Sequence, residues 1–375
     1  MNRTMSFLFL SGLLSTIPLF ARQPTITWSV PVRLPQGLAG PLAGVDHGSL
    51  IIAGGCNFPD SMPWAGGKKK YYNDVYVLEE QEHTWRWITA GSSHLPENIA
   101  YGASVSTPQG VVYIGGENEH GLSSRVLCLQ WDPLVREVRV RRLPDLPIGL
   151  TNAAATLLGQ TIYVAGGETA GGVSDGLYGL DLRASAPHWQ LLSHLPKPLS
   201  HAVLIGARQK LYLAGGRKKN PGGISDLSDA VYSYDPATHH WTPRQNLPYP
   251  LSAGASILYD DNSLLLFGGD KGETFHQVEK LIAAIDTTTD AVDKKNLLLQ
   301  KARVQSGHPG FGKDILLYDM TRNEWRLFDI LPFPSPVTTT AVRWNNYILI
   351  PGGEIRAGVR TSQVLIGEIN PTNSR

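Results

Sequence analysis

The sequence predicts an all-β chain folded as a six-bladed β-propeller, and two observations carry that reading. The first is a set of six Gly-Gly pairs, each closing a short apolar run: Ala53-Gly54-Gly55, Ile114-Gly115-Gly116, Ala165-Gly166-Gly167, Ala214-Gly215-Gly216, Phe267-Gly268-Gly269 and Pro351-Gly352-Gly353. Their first glycines stand 61, 51, 49, 53 and 84 residues apart. The second is that the residues between successive pairs read as short alternating strands with aromatics at fixed offsets. Chance pairs are common in a chain with 39 glycines, but six of them behind alternating apolar strands are not.

A period near 50 residues with a strand ending in Gly-Gly is the mark of kelch-type blades. Inner strands of neighbouring blades converge on a central axis, and glycine allows the tight turn and the close backbone approach found there. The third blade shows the unit in order: Ala153-Ala-Ala-Thr-Leu-Leu-Gly159, Thr161-Ile-Tyr-Val-Ala165, Gly176-Leu-Tyr-Gly-Leu-Asp181 and Trp189-Gln-Leu-Leu192. A Tyr or Leu in the third strand, a Trp in the fourth and a trailing Leu-Pro recur, as in Tyr234, Trp241 and Leu247-Pro248, or Tyr318, Trp325 and Leu331-Pro332. Such aromatics bury large apolar area and are read as packing between blades rather than as ligand contacts. The second blade lacks the Trp.

The two ends complement each other. Thr25-Ile-Thr-Trp28 followed by Leu34-Pro35 is a fourth strand without its first three. Gln363-Val-Leu-Ile-Gly-Glu-Ile369 is a third strand without a fourth. Pairing them completes the sixth blade and hides both edges. Residues 22–375 are therefore read as one closed ring, which accommodates a length that would otherwise suggest two or three domains.

Met1-Asn-Arg3 and the apolar stretch Met5 to Phe20 have the form of a secretory signal over residues 1–21, too short for a membrane span. Ala21 suits its last position, although Leu19 at −3 is bulkier than usual. The expected location is periplasmic or secreted, with no membrane span later in the chain. A net charge of +1 and 17% charged residues leave no basic footprint for nucleic acid. The two cysteines, Cys56 and Cys128, allow one disulfide, but free buried thiols are the preferred reading, and no Cys-x-x-Cys is present.

The long fifth interval carries an insertion, 274–308, whose Val278-Glu-Lys-Leu-Ile-Ala-Ala-Ile285 and Leu297-Leu-Leu-Gln-Lys-Ala302 suit helices. A lid and an inert rim insertion are equally compatible with it. Gly307-His-Pro-Gly-Phe-Gly-Lys313 mimics a phosphate loop, but Asp314 replaces the required Ser or Thr and a strand follows, so that reading is rejected.

No zinc-protease motif, nucleophile elbow or clustered Cys/His set occurs, and no metal or cofactor is expected. The residues after the Gly-Gly pairs stand out instead: Cys56, Glu117, Glu168, Arg217, Asp270 and Glu354. Equivalent positions of a closed propeller form a ring at one mouth. Carboxylates gathered there repel one another, which favours a site for proton exchange. Any one of them taken alone is more simply a turn residue.

The last blade, Gly352-Gly-Glu-Ile-Arg-Ala-Gly-Val-Arg-Thr361, resembles the active-site blade of the bacterial N-acetylneuraminate epimerases, the sialic acid mutarotases. There a Gly-Glu is followed by a short Gly-containing turn and Leu-Arg-Thr; Glu354 and Arg360 keep the six-residue spacing, with Val359 in place of Leu. Ala53-Gly-Gly-Cys-Asn-Phe58 through Lys68-Lys-Lys-Tyr-Tyr72 resembles that family's blade with a loop rich in Phe, Gly, Lys and Tyr, and Gly115-Gly-Glu117 its neighbour. The order is rotated, because the Glu/Arg blade precedes the Phe/Lys/Tyr blade in that family and comes last here, as in a cyclically permuted mutarotase.

The resemblance implies general acid–base opening and reclosure of a sugar hemiketal. It points to Glu354 as base and Arg360 as the partner of a substrate carboxylate or of Glu354 itself. Arg217, Lys69 and Lys271 are further candidates for substrate contact. A small-molecule sugar acid is the implied partner, and the resemblance is compatible with a homodimer. A non-catalytic glycan- or protein-binding propeller and an enzyme for another sugar acid remain open alternatives.

Overall fold

The computed structural model describes residues 25–88 and 93–370; the expected signal segment lies outside them. Six four-stranded antiparallel sheets are arranged as blades. Their innermost strands contact one another in ring order, from Leu42–Asp46 round to Val342–Trp344. The third blade runs Ala154–Leu158, Thr161–Ala165, Gly176–Asp181 and Gln190–His194, so the alternation read along the sequence is the strand order. The ring closes where Thr25–Arg33 pairs antiparallel with Gln363–Asn370, the outermost strand of the sixth blade coming from the other end of the chain.

Each interface between blades holds its own apolar cluster. Val164 and Leu180 of the third blade meet Val112 and Cys128 of the second, and Leu265 and Phe267 of the fifth meet Ile348 and Leu365 of the sixth. The recurrent tryptophans belong to this packing. Trp28 meets Phe267 edge-on at 5.8 Å between ring centroids, and Trp325 lies 4.8 Å from Tyr318. Several outer-strand indoles donate to the segment leaving the previous blade: Trp87 to Arg33 O, Trp189 to Pro144 O and Trp325 to Gln245 O, at 2.8–3.0 Å. A Trp there offers an apolar body to the cluster and one N–H to a carbonyl that would otherwise be left unpaired.

The Gly-Gly pairs sit where the second strand leaves the core. Gly352 and Gly353 have φ of +63° and +100°, a conformation that L side chains rarely adopt. A Cβ on Gly352 would come within 2.7 Å of Leu38 O. The other five pairs share these angles, which is why the motif survives while its neighbours vary. The residue after each pair then bridges to the segment entering its own blade: Ala39 with Cys56, Ala100 with Glu117, Thr151 with Glu168, Ser200 with Arg217, Ser252 with Asp270 and Val337 with Glu354. One mouth of the ring is built this way.

The fifth blade carries two helices before its third strand, α1 (Glu273–Thr287) and α2 (Ala291–Ser306). Asp290 caps α2, its side chain accepting from the Val292 and Asp293 amides at 2.8 Å. α1 is tied to the fourth blade by Glu279, which accepts from the backbone and hydroxyl of Ser225 at 2.9 and 2.6 Å. α2 packs against the turn Pro63–Ala65 of the first blade. The insertion thus leans across the mouth rather than lying along the rim.

Candidate active site

Beneath the helices lies a cavity of about 440 Å³. Its floor is a collar of residues in the left-handed region, Gly40, Tyr101, Asn152, His201, Ala253 and Thr338, with φ between 51° and 62°. Around the collar five of the six amides donate to the carbonyl of the preceding blade's member: Tyr101 to Gly40, Asn152 to Tyr101, His201 to Asn152, Ala253 to His201 and Gly40 to Thr338, at 2.7–2.9 Å. This arrangement turns the side chains of Tyr101 and His201 toward the mouth, and both line the cavity together with Glu117, Glu168, Arg217, Asp270, Glu354 and Arg360.

Glu354 and Arg360 are partners on the short hairpin of the sixth blade. Arg360 Nη2 lies 3.4 Å from Glu354 Oε2 and 3.4 Å from the Tyr101 hydroxyl, which accepts from it. Glu354 Oε1 accepts the Gly358 amide at 2.8 Å. The guanidinium stacks over Phe58 at 4.6 Å and its side chain is only 7% exposed. Its Nε and Nη1 are buried without a partner. Unsatisfied buried donors cost about 1–3 kcal/mol each, more when charged, so this guanidinium is under-bonded in a way that an anionic acceptor would relieve. Burial works against the charge of Arg360, but Glu354 and Tyr101 outweigh it and hold its pKa above the ordinary value.

A second cluster faces it from the third and fourth blades. Glu168 Oε1 accepts from Ser200 Oγ at 3.1 Å and lies 3.6 Å from both His201 Nδ1 and Arg217 Nη2. Arg217 Nη2 also approaches His201 Nε2 at 3.4 Å, stacks over Phe275, and leaves its Nε buried and unpaired. Burial, reinforced by Arg217, pushes the His201 pKa well below its ordinary value, so this imidazole is neutral. On the third side Glu117 is held by Lys69 at 3.0 Å and by the Tyr71 hydroxyl at 2.8 Å. Cys56 donates its thiol to Tyr101 Oη at 3.1 Å; burial raises the pKa values of both groups. Cys56 and Cys128 are both free and buried.

Of the residues singled out in the sequence, Glu354, Arg360, Arg217 and Lys69 meet at this cavity. Lys271 does not line it: its ammonium pairs with Asp314 at 3.2 Å and lies 3.8 Å from the Tyr249 ring centre. Glu117, Glu168 and Asp270 reach the cavity, whereas Cys56 is covered by Tyr101. Sequence reasoning missed Tyr101, Asn152 and His201, although a signal exists: in five blades the collar residue stands fourteen positions before the first glycine of the pair, and in the fifth blade fifteen. It also missed His308 and Phe311, which line the cavity from the segment dismissed as a false phosphate loop.

A carboxylate beside an under-bonded, buried guanidinium can exchange a proton with a ligand that the guanidinium holds by its acid group. Among the described residues no cluster of His, Cys, Asp and Glu suits a metal ion, and no helix is long and apolar enough to cross a membrane.

The family model described as N-acetylneuraminate epimerase matches residues 23–135 and 143–375. The N-acetylneuraminate epimerase of Yersinia enterocolitica is 26% identical over 256 residues, covering 67% of this chain and 63% of that protein. Its counterpart in Pasteurella multocida is 25% identical over 228 residues, covering 60% of this chain and 58% of the relative. The chain therefore spans about three fifths of the length of the curated relatives it matches. The solved structure described as "Structure of YjhT" superposes with a TM-score of 0.64 over 92% of this chain and 100% of that one, at 17% identity, which shows a shared fold.

Proposed function

The chain belongs to the N-acetylneuraminate epimerase family, and on that premise we propose that it interconverts the α and β anomers of N-acetylneuraminate by general acid–base ring opening. One observation carries the reading: the buried Arg360 fork, with two nitrogens unpaired, stands 3.4 Å from the Glu354 carboxylate. The sugar's carboxylate occupies the fork and the anomeric hydroxyl then lies within reach of Glu354. Glu354 takes the hydroxyl proton, the bond from the anomeric carbon to the ring oxygen breaks, and that oxygen gains a proton. Rotation about the freed carbon and the reverse steps close the ring on the other face. The uncatalysed exchange already runs in water, so acid–base help of about 10²–10⁴-fold is enough.

The test is NMR of α-N-acetylneuraminate freshly released by a sialidase, with and without the purified protein. Accelerated appearance of the β anomer supports the reading; an unchanged rate in the presence of a ligand-binding protein shows a non-catalytic propeller instead. Uronic acids run in parallel distinguish an enzyme for another sugar acid.

Arg217 and Lys69 supply further substrate contacts in this scheme, from the fourth and first blades. The apolar stretch Met5 to Phe20 and Ala21 support export to the periplasm or beyond. N-terminal sequencing of protein recovered outside the cytoplasm tests this. Sedimentation of the purified chain tests assembly as a homodimer.

A further inference from the structure

Ring opening needs help at two oxygens, and the Glu354–Arg360 pair serves one of them. We infer that His308 is a second catalytic residue, its Nε2–H donating a hydrogen bond to the ring oxygen of the bound sugar and stabilising the charge that gathers there as the ring opens. The inference rests on the anomer exchange proposed above.

His308 follows α2 directly, is 7% exposed and lines the cavity. Its Nδ1 accepts the Gly310 amide at 3.0 Å, which places the proton of a neutral ring on Nε2. Phe311 packs against the imidazole at 4.7 Å between centroids and fixes its plane. Among the described residues Nε2 has no protein partner, so its donor is left for a ligand. Burial lowers the His308 pKa, while Asp270 and Glu354 push it back up and Arg356 opposes them. The two carboxylates follow the fifth and sixth Gly-Gly pairs and line the same cavity. Gly310, two residues on, abuts the carbonyl of Ile355, next to Glu354.

The step balances without a charged imidazole. Glu354 accepts the anomeric proton, the carbonyl forms, and the electron pair of the breaking C–O bond moves to the ring oxygen while His308 Nε2–H holds it. The proton on Glu354 then passes to that oxygen, leaving the open-chain ketone and both side chains in their starting states. A neutral imidazole used as an electrophile has precedent in enzymes that polarise a carbonyl.

The test compares wild type with His308→Phe and His308→Gln by anomer-exchange NMR on the full chain. Phe keeps the ring against Phe311 and removes the donor; kcat is expected to fall roughly 10²-fold with KM within about threefold, the scale of losing one oxygen-stabilising donor. Gln supplies an N–H and is expected to recover much of the loss. A His308→Phe enzyme with wild-type kcat overturns the inference and leaves the proposed function standing, whereas a wild-type protein without activity overturns the proposed function itself. A measurement that needs no variant is the wild-type pH profile. A neutral donor predicts a flat rate from about pH 6 to about pH 8, and a rate that falls as an imidazolium loses its proton in that range overturns the inference.

Discussion

Arg360 reaches the Glu354 carboxylate with one nitrogen, at 3.4 Å, and leaves the other two buried and unpaired. A bidentate pair would spend the whole fork on Glu354. The single long contact keeps the two residues adjacent and leaves hydrogen-bond donors of the guanidinium for the ligand carboxylate that the proposed function requires.

Glu354→Gln keeps size and hydrogen bonding and removes the proton acceptor. Anomer exchange is expected to fall toward the uncatalysed rate, roughly 10²-fold or more, with little change in Tm. Glu117→Gln and Glu168→Gln are the internal controls, since they occupy equivalent places in their blades, and are expected to keep most of the activity. Exchange NMR on the three variants decides it: an active Glu354→Gln beside a dead Glu117→Gln or Glu168→Gln would put the base on another blade.

Arg360→Lys keeps the charge and loses both the fork and the stack on Phe58. The expected result is a KM raised roughly ten- to a hundredfold with a smaller effect on kcat. Initial rates across a range of sugar concentrations read this directly, and an unchanged KM would contradict the carboxylate role.

His201 gives the fold a pH dependence. Its folded pKa lies well below its unfolded value of about 6.5, so on acidification the unfolded chain binds a proton before the native state does. The stability it contributes is therefore complete above about pH 6.5 and declines as pH falls toward the folded pKa. Tm is expected to drop by several degrees between about pH 7 and about pH 5, and by less in His201→Gln. Equal losses in both proteins would show that other groups control the acid transition.

Deleting residues 22–35 removes the strand that completes the sixth blade and with it Ile26 and Trp28 from the cluster shared with the fifth. The Gln363–Asn370 strand would then present an unpaired edge. Aggregation or a Tm lower by tens of degrees is expected from light scattering and thermal melts; a soluble protein with an unchanged Tm would rule out this closure.

The parts of the fold legible in the sequence were those where only one residue type works. Gly352 and Gly353 sit at positive φ against a carbonyl, so glycine recurs and betrays each blade; Trp325 fills a fixed gap between blades and recurs for a similar reason. Glu354 and Arg360 were singled out by resemblance to the epimerase motif, whose six-residue spacing corresponds here to one short hairpin on which the two residues pair. Side-chain direction was not legible. Lys271 is of the right type two residues beyond its Gly-Gly pair, yet Asp314 and Tyr249 draw it away from the cavity. Tyr101 and His201 were hidden because the collar tolerates Gly, Ala, Asn or Thr at the same place, so no single letter repeats. His308 lies in a segment whose glycines suggested another function; only in the folded chain do its burial and its bond to the Gly310 amide become visible.

The pairing of Thr25 with Asn370 and of Arg33 with Gln363 also sets a timetable. Of the described strands, the one nearest the N-terminus pairs with the one nearest the C-terminus, and five blades and both helices lie between them in the chain. Local hairpins within a blade can form at once, but this final seam waits for the whole chain and carries the longest loop-closure cost in the molecule. Until then a β-prone segment stays open and prone to aggregation. Substitutions in residues 25–33 are therefore expected to delay refolding more than comparable changes inside any single blade.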